Sequence, residues 1–415
     1  MNKIFSIALV SALFFAACTD PRENGLKLTT WRATLKTESG KEIPFNFVVN
    51  ESPDKKKVID ILNGSEHFRV DKIDEDPDSV RITMPLFDSE IRAAFADDKL
   101  KGNWIRHLAD KDVMIPFEAE PDAKWRFFTD ESPSDLDISG RWATTFGEGS
   151  DTSSAIGEFK QNGPMVTGTF LTNTGDYRFL QGTIKDSTLY LSCFDGGHAF
   201  LFTGKIDPIK KTISAGEFYS GLSGQEKWTA VFSPQAKLPD AYGLTHLKPG
   251  EKSIAFSFPD LNGKKVSLTD PAYKGKVVIV QMLGSWCPNC MDETAYLADD
   301  FYKRYQPKGV EIVGLAYERT PDFDRSKKNV SSLIERFKVP YTVLLTGYTP
   351  AKGEPAKSLP ALESLNAFPT TFIIDKKGEV RKIHQGFSGP GTGEHYTEFK
   401  QEFEHLIDQL LAEKG

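Results

Sequence analysis

Between Leu28 and about Phe232 the chain runs through short stretches that are alternating or β-branched and rich in aromatics. Examples are IPFNFVV, SVRITMPLF, TLYLSCF and HAFLFTGKI, separated by Gly, Asn and Asp clusters such as LNGSE, TNTGD and FDGGH. No sustained 3.6-residue period appears there, so this region is predicted to be all-β. A Pro- and Gly-rich linker follows, SPQAKLPDAYGLTHLKPGEK, and the pattern then changes. KVVIVQML is a continuous apolar run, as expected of a strand buried on both faces. MDETAYLADDFYKRYQPKG predicts a helix ending near Pro307 and Gly309. VEIVGLAYE predicts a second buried strand, SSLIERFKV a helix and YTVLL a strand. SLPALESLN predicts a further short helix, and TTFIIDKKGEVRKIHQG a hairpin turning at Lys377-Gly378. HYTEFKQEFEHLIDQLLAEK closes the chain as an amphipathic helix with Phe399, Phe403, Leu406 and Leu410 on one face. Alternating strands and helices predict a sheet covered on both sides.

The β region carries signs of a duplication. WRATL at Trp31 is answered by WATTF at Trp142, DSVRITMPLFDSEI by DSTLYLSCFDGGHAF, and NGSEHFRV by NTGDYRFL. The offset stays at about 110 residues, the spacing a drifting tandem repeat produces. The expected organisation is multidomain: two β-rich halves at 28–131 and 132–235, forming a β-meander barrel or sandwich, a linker at 236–250, and an α/β domain at 251–415. The aromatics of the β halves are expected in the core and in cross-strand pairs.

The 415 residues are 39% hydrophobic and 26% charged, a globular composition. A net charge of −7 without a basic stripe argues against nucleic acid as a partner. The seven histidines are scattered, never at helical ligand spacing, so a histidine metal site has little support. At the N-terminus, Lys3 precedes the apolar run IFSIALVSALFFAA, which suits a secretory signal at 1–17 and is short for a transmembrane helix. Ala16-Ala17-Cys18 resembles a bacterial lipobox, with Phe15 where leucine is usual. Cys18 is therefore expected to be lipidated, with 18–27 as a lipidated linker anchoring the protein to a membrane. The expected location is the bacterial cell envelope, periplasm-facing or on the outer membrane, where disulfides persist.

Three cysteines then remain, Cys193, Cys287 and Cys290, too few for a disulfide framework. Cys193, mid-strand in LYLSCF, is expected to be a buried inert thiol. Cys287 and Cys290 in GSWCPNC follow a buried strand and open a helix. That position stabilises a thiolate through unpaired N–H groups and the helix dipole, and Pro288 suits the first turn. Zinc would need a second ligand pair, and a staple across two residues would barely restrict the unfolded chain. Redox exchange is the expected chemistry, with Cys287 as exposed nucleophile and Cys290 as buried resolving thiol. The glycine-rich GFSGPGTGEHY lacks the Lys-Ser/Thr of a phosphate loop and is expected to be a flexible connection near the site.

Lys248 to Gly415 resembles the thioredoxin superfamily, and within it the envelope thiol-disulfide oxidoreductases of the TlpA/ResA type. The resemblance rests on PDLNGKKVSL, GKVVIVQMLGSWCPNC, Glu293 and FPTTFIID. It implies a thioredoxin-like fold for 251–415 and a redox-active Cys287–Cys290 disulfide, with no other cofactor and no metal. It implies a cis Pro369 facing that disulfide, with Phe368 offering backbone groups to an extended substrate and Trp286 packed beside the pair. Glu293, one turn beyond Cys290, is expected to handle a proton of the buried thiol. The expected partners are protein thiol/disulfide substrates and an upstream electron donor, and the usual direction is reduction. A peroxiredoxin-like thiol peroxidase is the alternative enzyme, but its pattern needs Pro at 280 and Thr at 284, where this chain has Val280 and Gly284. A third possibility is a binding or scaffold protein whose β region does the work, with an accessory redox module.

Overall fold

Each β half opens on a tryptophan whose indole N–H donates to the carbonyl four residues earlier: Trp31 to Lys27 (3.0 Å) and Trp142 to Ile138 (2.8 Å). The computed structural model describes residues 25–130, 134–365 and 367–414; Cys18 and the apolar leader lie outside them. The first half contains β1 (Thr30–Lys36), β2 (Glu42–Glu51), β3 (Lys57–Asn63), β4 (Glu66–Val70) and β5 (Lys72–Glu75). It continues with β6 (Ser79–Thr83), β7 (Ser89–Ala96), β8 (Lys99–His107) and β9 (Asp112–Pro121). The second half contains β10 (Gly140–Glu148), β11 (Asp151–Asn162), β12 (Met165–Thr172), β13 (Gly175–Asp176) and β14 (Leu180–Lys185). β15 (Thr188–Phe194), β16 (Ala199–Asp207), β17 (Thr212–Ser220) and β18 (Gly224–Phe232) complete it.

Both sheets are antiparallel meanders in which the first strand pairs with the second and the last. The orders are β4-β3-β2-β1-β9-β8-β7-β6-β5 and β11-β10-β18-β17-β16-β15-β14-β12-β13. In the second sheet β11 also pairs with β12, closing a barrel of all its strands but β13. The matched sequences fall on corresponding strands: WRATL in β1 and WATTF in β10, the second pair across β6–β7 and β15–β16. Alternation fills the interiors. β1 buries Trp31, Ala33 and Leu35, and β10 buries Trp142 and Phe146.

The sheets meet at the β15–β16 turn. The Phe194 ring lies 4.4 Å from that of Phe45 and edge-on to Trp104 at 5.0 Å, so a residue of the second sheet fills the core of the first. Asn63 donates to the Phe194 carbonyl (2.8 Å) and accepts from its N–H (3.2 Å), while Ser89 donates to the Gly196 carbonyl (2.6 Å).

After a small hairpin, β19 (Ser257–Pro259) with β20 (Lys265–Ser267), the chain builds a five-stranded sheet. Its strands are β21 (Val277–Leu283), β22 (Val310–Ala316), β23 (Thr342–Leu345), β24 (Thr370–Ile374) and β25 (Val380–Gln385). The order is β23-β22-β21-β24-β25: β23, β22 and β21 are parallel, and β24 runs antiparallel to both its neighbours, β21 and β25. Helices are α1 (Pro288–Tyr296), α2 (Tyr302–Tyr305), α3 (Phe323–Phe337), α4 (Glu354–Ser358) and α5 (Glu394–Ala412). β21 is buried along its whole length because both faces are covered. Val277 and Ile279 pack with Phe301, Phe403 and Ile407, and Val278, Val280 and Met282 pack with Phe256, Tyr317 and Phe372. A thioredoxin-like α/β domain thus follows a large all-β region.

Two local expectations change. The helix expected over SLPALESLN lies a turn earlier, as α4, because Pro360 disfavours the helical region for Leu359, which sits at φ −126, ψ 82. α3 begins well before SSLIERFKV, because the Asp322 carboxylate caps it, accepting from the Arg325 N–H at 2.8 Å.

If the sheets share one core, Phe194→Ala should lower stability by about 3–5 kcal/mol and lower amide-exchange protection in β1–β9 and β10–β18 alike. Loss confined to β10–β18 would mean the halves fold independently.

Candidate active site

The turn after β21 delivers Cys287 to the N-cap of α1, with Pro288 in the first turn. The Cys290 N–H donates to Cys287 Sγ at 3.2 Å, so an otherwise unpaired helix N–H points at this sulfur. The two cysteines form a disulfide with Cα atoms 5.2 Å apart. Ser285 donates from its N–H and its hydroxyl to the Glu318 carboxylate (2.8 and 2.7 Å), pinning the turn before Trp286. The Trp286 indole donates to the Tyr317 carbonyl (2.8 Å), and its ring meets Phe368 edge-on at 5.6 Å. The Phe368–Pro369 peptide is cis, and the Phe368 carbonyl oxygen lies 3.6 Å from Cys287 Sγ. Cys287, Cys290, Trp286, Phe368 and Pro369 are therefore gathered at one end of the sheet.

Cys287, expected to be exposed, is buried at 5% exposure, with Cys290 at 0%. The β region packs against this end together with Trp286 and Phe368. Cys287, Cys290 and Met291 belong to the same apolar cluster as Met84, Leu86 and Phe87 of the β6–β7 loop. The second sheet reaches the site as well: Asn289, between the cysteines, donates to the carbonyls of Asp176 (3.2 Å) and Phe387 (3.1 Å). The GFSGPGTGEHY segment packs against this same hairpin. The Gly389 N–H donates to Asp176 (2.6 Å), and a Cβ on Gly386, at φ +74, would stand 2.7 Å from the Thr174 carbonyl carbon.

Glu293 lies beneath the pair, 2% exposed. Its carboxylate accepts from Thr371 Oγ1 (2.7 Å) and Gln281 Nε2 (2.8 Å), and Tyr341 donates to Gln281 Oε1 (3.3 Å). Antiparallel pairing sets Gln281 directly opposite Thr371, which brings both donors to one carboxylate. Burial pushes the Glu293 carboxyl up to about 7, against the pull of those two bonds. Gln281 left a trace in the sequence as the one uncharged polar residue within KVVIVQML.

Arg178 left no such trace. It is 2% exposed and donates to Asp292 and to the Pro288 carbonyl (3.3 Å) in α1, and to Glu66 in the first sheet. Its Nε faces Asp195 of the second sheet at 3.2 Å, an ion pair without hydrogen-bond alignment. Burial alone would lower the Arg178 pKa, but Asp292, Glu66 and Asp195 hold it well above the ordinary value. Cys193 is buried and free, and burial pushes its thiol well above the ordinary range. Among the described residues no His, Cys, Asp and Glu group is arranged to hold a metal, and no helix is long and apolar enough to cross a membrane.

A disulfide at a strand-to-helix turn, beside a cis proline, marks a thioredoxin-superfamily redox protein. The Redoxin family model matches residues 248–398. The chain is 32% identical over 147 residues to the thiol-disulfide oxidoreductase ResA of Geobacillus thermodenitrificans, covering 34% of this chain and 72% of the relative. It is 29% identical over 180 residues to ResA of Bacillus cereus, covering 43% and 87%. A solved thioredoxin-family thiol:disulfide interchange protein of Chlorobium tepidum TLS aligns with 39% of this chain and 96% of its own, at 23% identity and TM-score 0.30. The chain belongs to the ResA-type family and is a thiol-disulfide oxidoreductase. The family model begins beyond the β region.

The Glu293 carboxyl sets a pH dependence. From its ordinary value of 4.5 up to about 7, the folded chain holds a proton that the unfolded chain has lost, so stability falls as pH rises through this window. Glu293→Gln should remove that loss, roughly 1–3 kcal/mol, so its melting temperature should drop less between about pH 5 and 7.5. Equal slopes in both proteins would mean Glu293 titrates normally.

Proposed function

We propose that this protein is a lipid-anchored reductase of protein disulfides in the bacterial cell envelope. The observation that carries the reading is the Cys290 N–H donated to Cys287 Sγ at the start of α1, which favours a thiolate at Cys287. In the reduced enzyme that thiolate attacks one sulfur of a substrate disulfide. An enzyme–substrate disulfide forms, and the other substrate sulfur leaves as a thiolate. Cys290 then gives its proton to the Glu293 carboxylate and attacks Cys287 Sγ. The second substrate thiolate departs, and the enzyme disulfide forms as the substrate gains two electrons. A carboxyl held near 7 suits this proton transfer at neutral pH. An upstream dithiol donor must return the two electrons.

Trp286 and the Phe368–Pro369 corner frame the approach to Cys287, and the Phe368 backbone offers an edge to an extended chain. Residues 1–17 are read as a removed leader, 18–27 as a lipidated linker, 28–131 and 132–235 as two β units, and 236–250 as the link to the redox domain at 251–415. The Ala16-Ala17-Cys18 sequence supports the anchor.

With Cys290→Ser, substrates should accumulate as disulfides on Cys287, detectable by mass spectrometry, and with Cys287→Ser none should form. Adducts on Cys193 would overturn the assignment. The reduction potential decides direction: a value near thioredoxin's, about −270 mV, fits a reductase, and one near about −120 mV reverses it. Cys18→Ser should release the protein from membranes or stop its maturation; normal processing with unchanged membrane retention would remove the anchor from this reading.

A further inference from the structure

The end of the redox domain that holds Cys287 is the end against which the β region packs. The cap touches it from two sides. On one side the Asn173–Arg178 hairpin holds Asn289 through the Asp176 carbonyl and α1 through Arg178, which binds the Pro288 carbonyl and Asp292. The fit is close: Gly175 sits at φ +139, and a Cβ there would stand 2.3 Å from Asn289 Nδ2. On the other side Arg325 of α3 donates to the carbonyls of Leu108 (2.8 Å), Ala109 (3.1 Å) and His107 (3.2 Å), and pairs with Asp88 (3.2 Å). Between them the β6–β7 loop sets Leu86 and Phe87 into the apolar cluster that includes both cysteines. A cleft of about 440 Å³ between this loop and α3 reaches Ser285, but neither cysteine lines it.

Exchange requires a foreign sulfur to approach the Cys287 sulfur directly, and a residue 5% exposed that does not line this cleft offers a sulfur on a folded protein little room to do so. Most named contacts on both sides are hydrogen bonds and ion pairs, which water can replace when the surfaces part. We propose that the β region is a built-in competitor for the substrate-docking face. The protein equilibrates between this closed form and an open one, and a protein disulfide binds only the open form, displacing the cap. This rests on the reductase reading above. It assigns the β region a part in selection: partners that can gain enough binding energy on the exposed face are admitted, and others are refused.

The test uses the full chain, reduced, in wild type and two variants on opposite sides of the cap, Arg178→Gln and Arg325→Ala. Arg325 is one-third exposed against 2% for Arg178, so its replacement tests the cap even if Arg178→Gln disturbs the fold. Each should raise the rate of Cys287 alkylation by iodoacetamide, followed by intact-mass spectrometry, by about tenfold. Reduction of insulin should accelerate in parallel, and that of bis(2-hydroxyethyl) disulfide less. Wild-type alkylation rates in Arg325→Ala would overturn the cap, as would faster alkylation joined to slower insulin reduction, which would make the β region part of the substrate-binding surface. Faster alkylation with neither disulfide reduced by any form keeps the cap and overturns the reductase reading instead.

Discussion

One buried guanidinium ties this molecule together. Arg178 stands on the second sheet, and its partners come from three places: Glu66 on the first sheet, Asp195 on its own, and Asp292 on the helix that carries the dithiol. A charge taken out of water costs several kcal/mol unless its partners are in position. The three parts must therefore dock together for Arg178 to be satisfied, and the redox helix is held in that arrangement. Breaking the set exposes Arg178 and its carboxylates to water, which pairs them again, so the docking is specific without being irreversible.

Within the redox domain a second constraint acts from below. β21 is buried on both faces, yet it carries Gln281 inward, where its amide needs a partner. Glu293, Thr294 and Tyr341 supply it, Thr371 donates to the other Glu293 oxygen, and burial keeps that carboxyl near 7 beneath the pair. A helix N–H points at Cys287 Sγ, while Cys290 lies fully buried. The different surroundings of the two cysteines thus follow from where one strand ends and one helix begins.

The β region shows how a duplicated meander can serve two ends. Each half keeps its alternating core and its indole-to-carbonyl bond, so the repeat is structural. What differs lies at the turns: the β6–β7 loop presents Leu86 and Phe87 to the redox centre, while the equivalent β15–β16 turn presents Phe194 to the first sheet. Corresponding loops have taken up different neighbours on the same scaffold.

Much of this was legible in the sequence, because period-two alternation, continuous apolar strands and the Cys-Pro-Asn-Cys turn are local signals. They determined the all-β and α/β regions, the repeat, and the position of Cys287 at a helix start. Gln281 could be noticed as a polar residue in an apolar run, but the second donor to Glu293 could not, since only strand pairing brings Thr371 opposite Gln281. The burial of Cys287 and the role of Arg178 were decided by tertiary structure alone. Arg178 lies 114 positions from Asp292 and 112 from Glu66, and in the chain it reads as an ordinary charged residue near a turn. Periodicity reports which side of an element faces a core; it carries no information about which distant surface will cover that element's end.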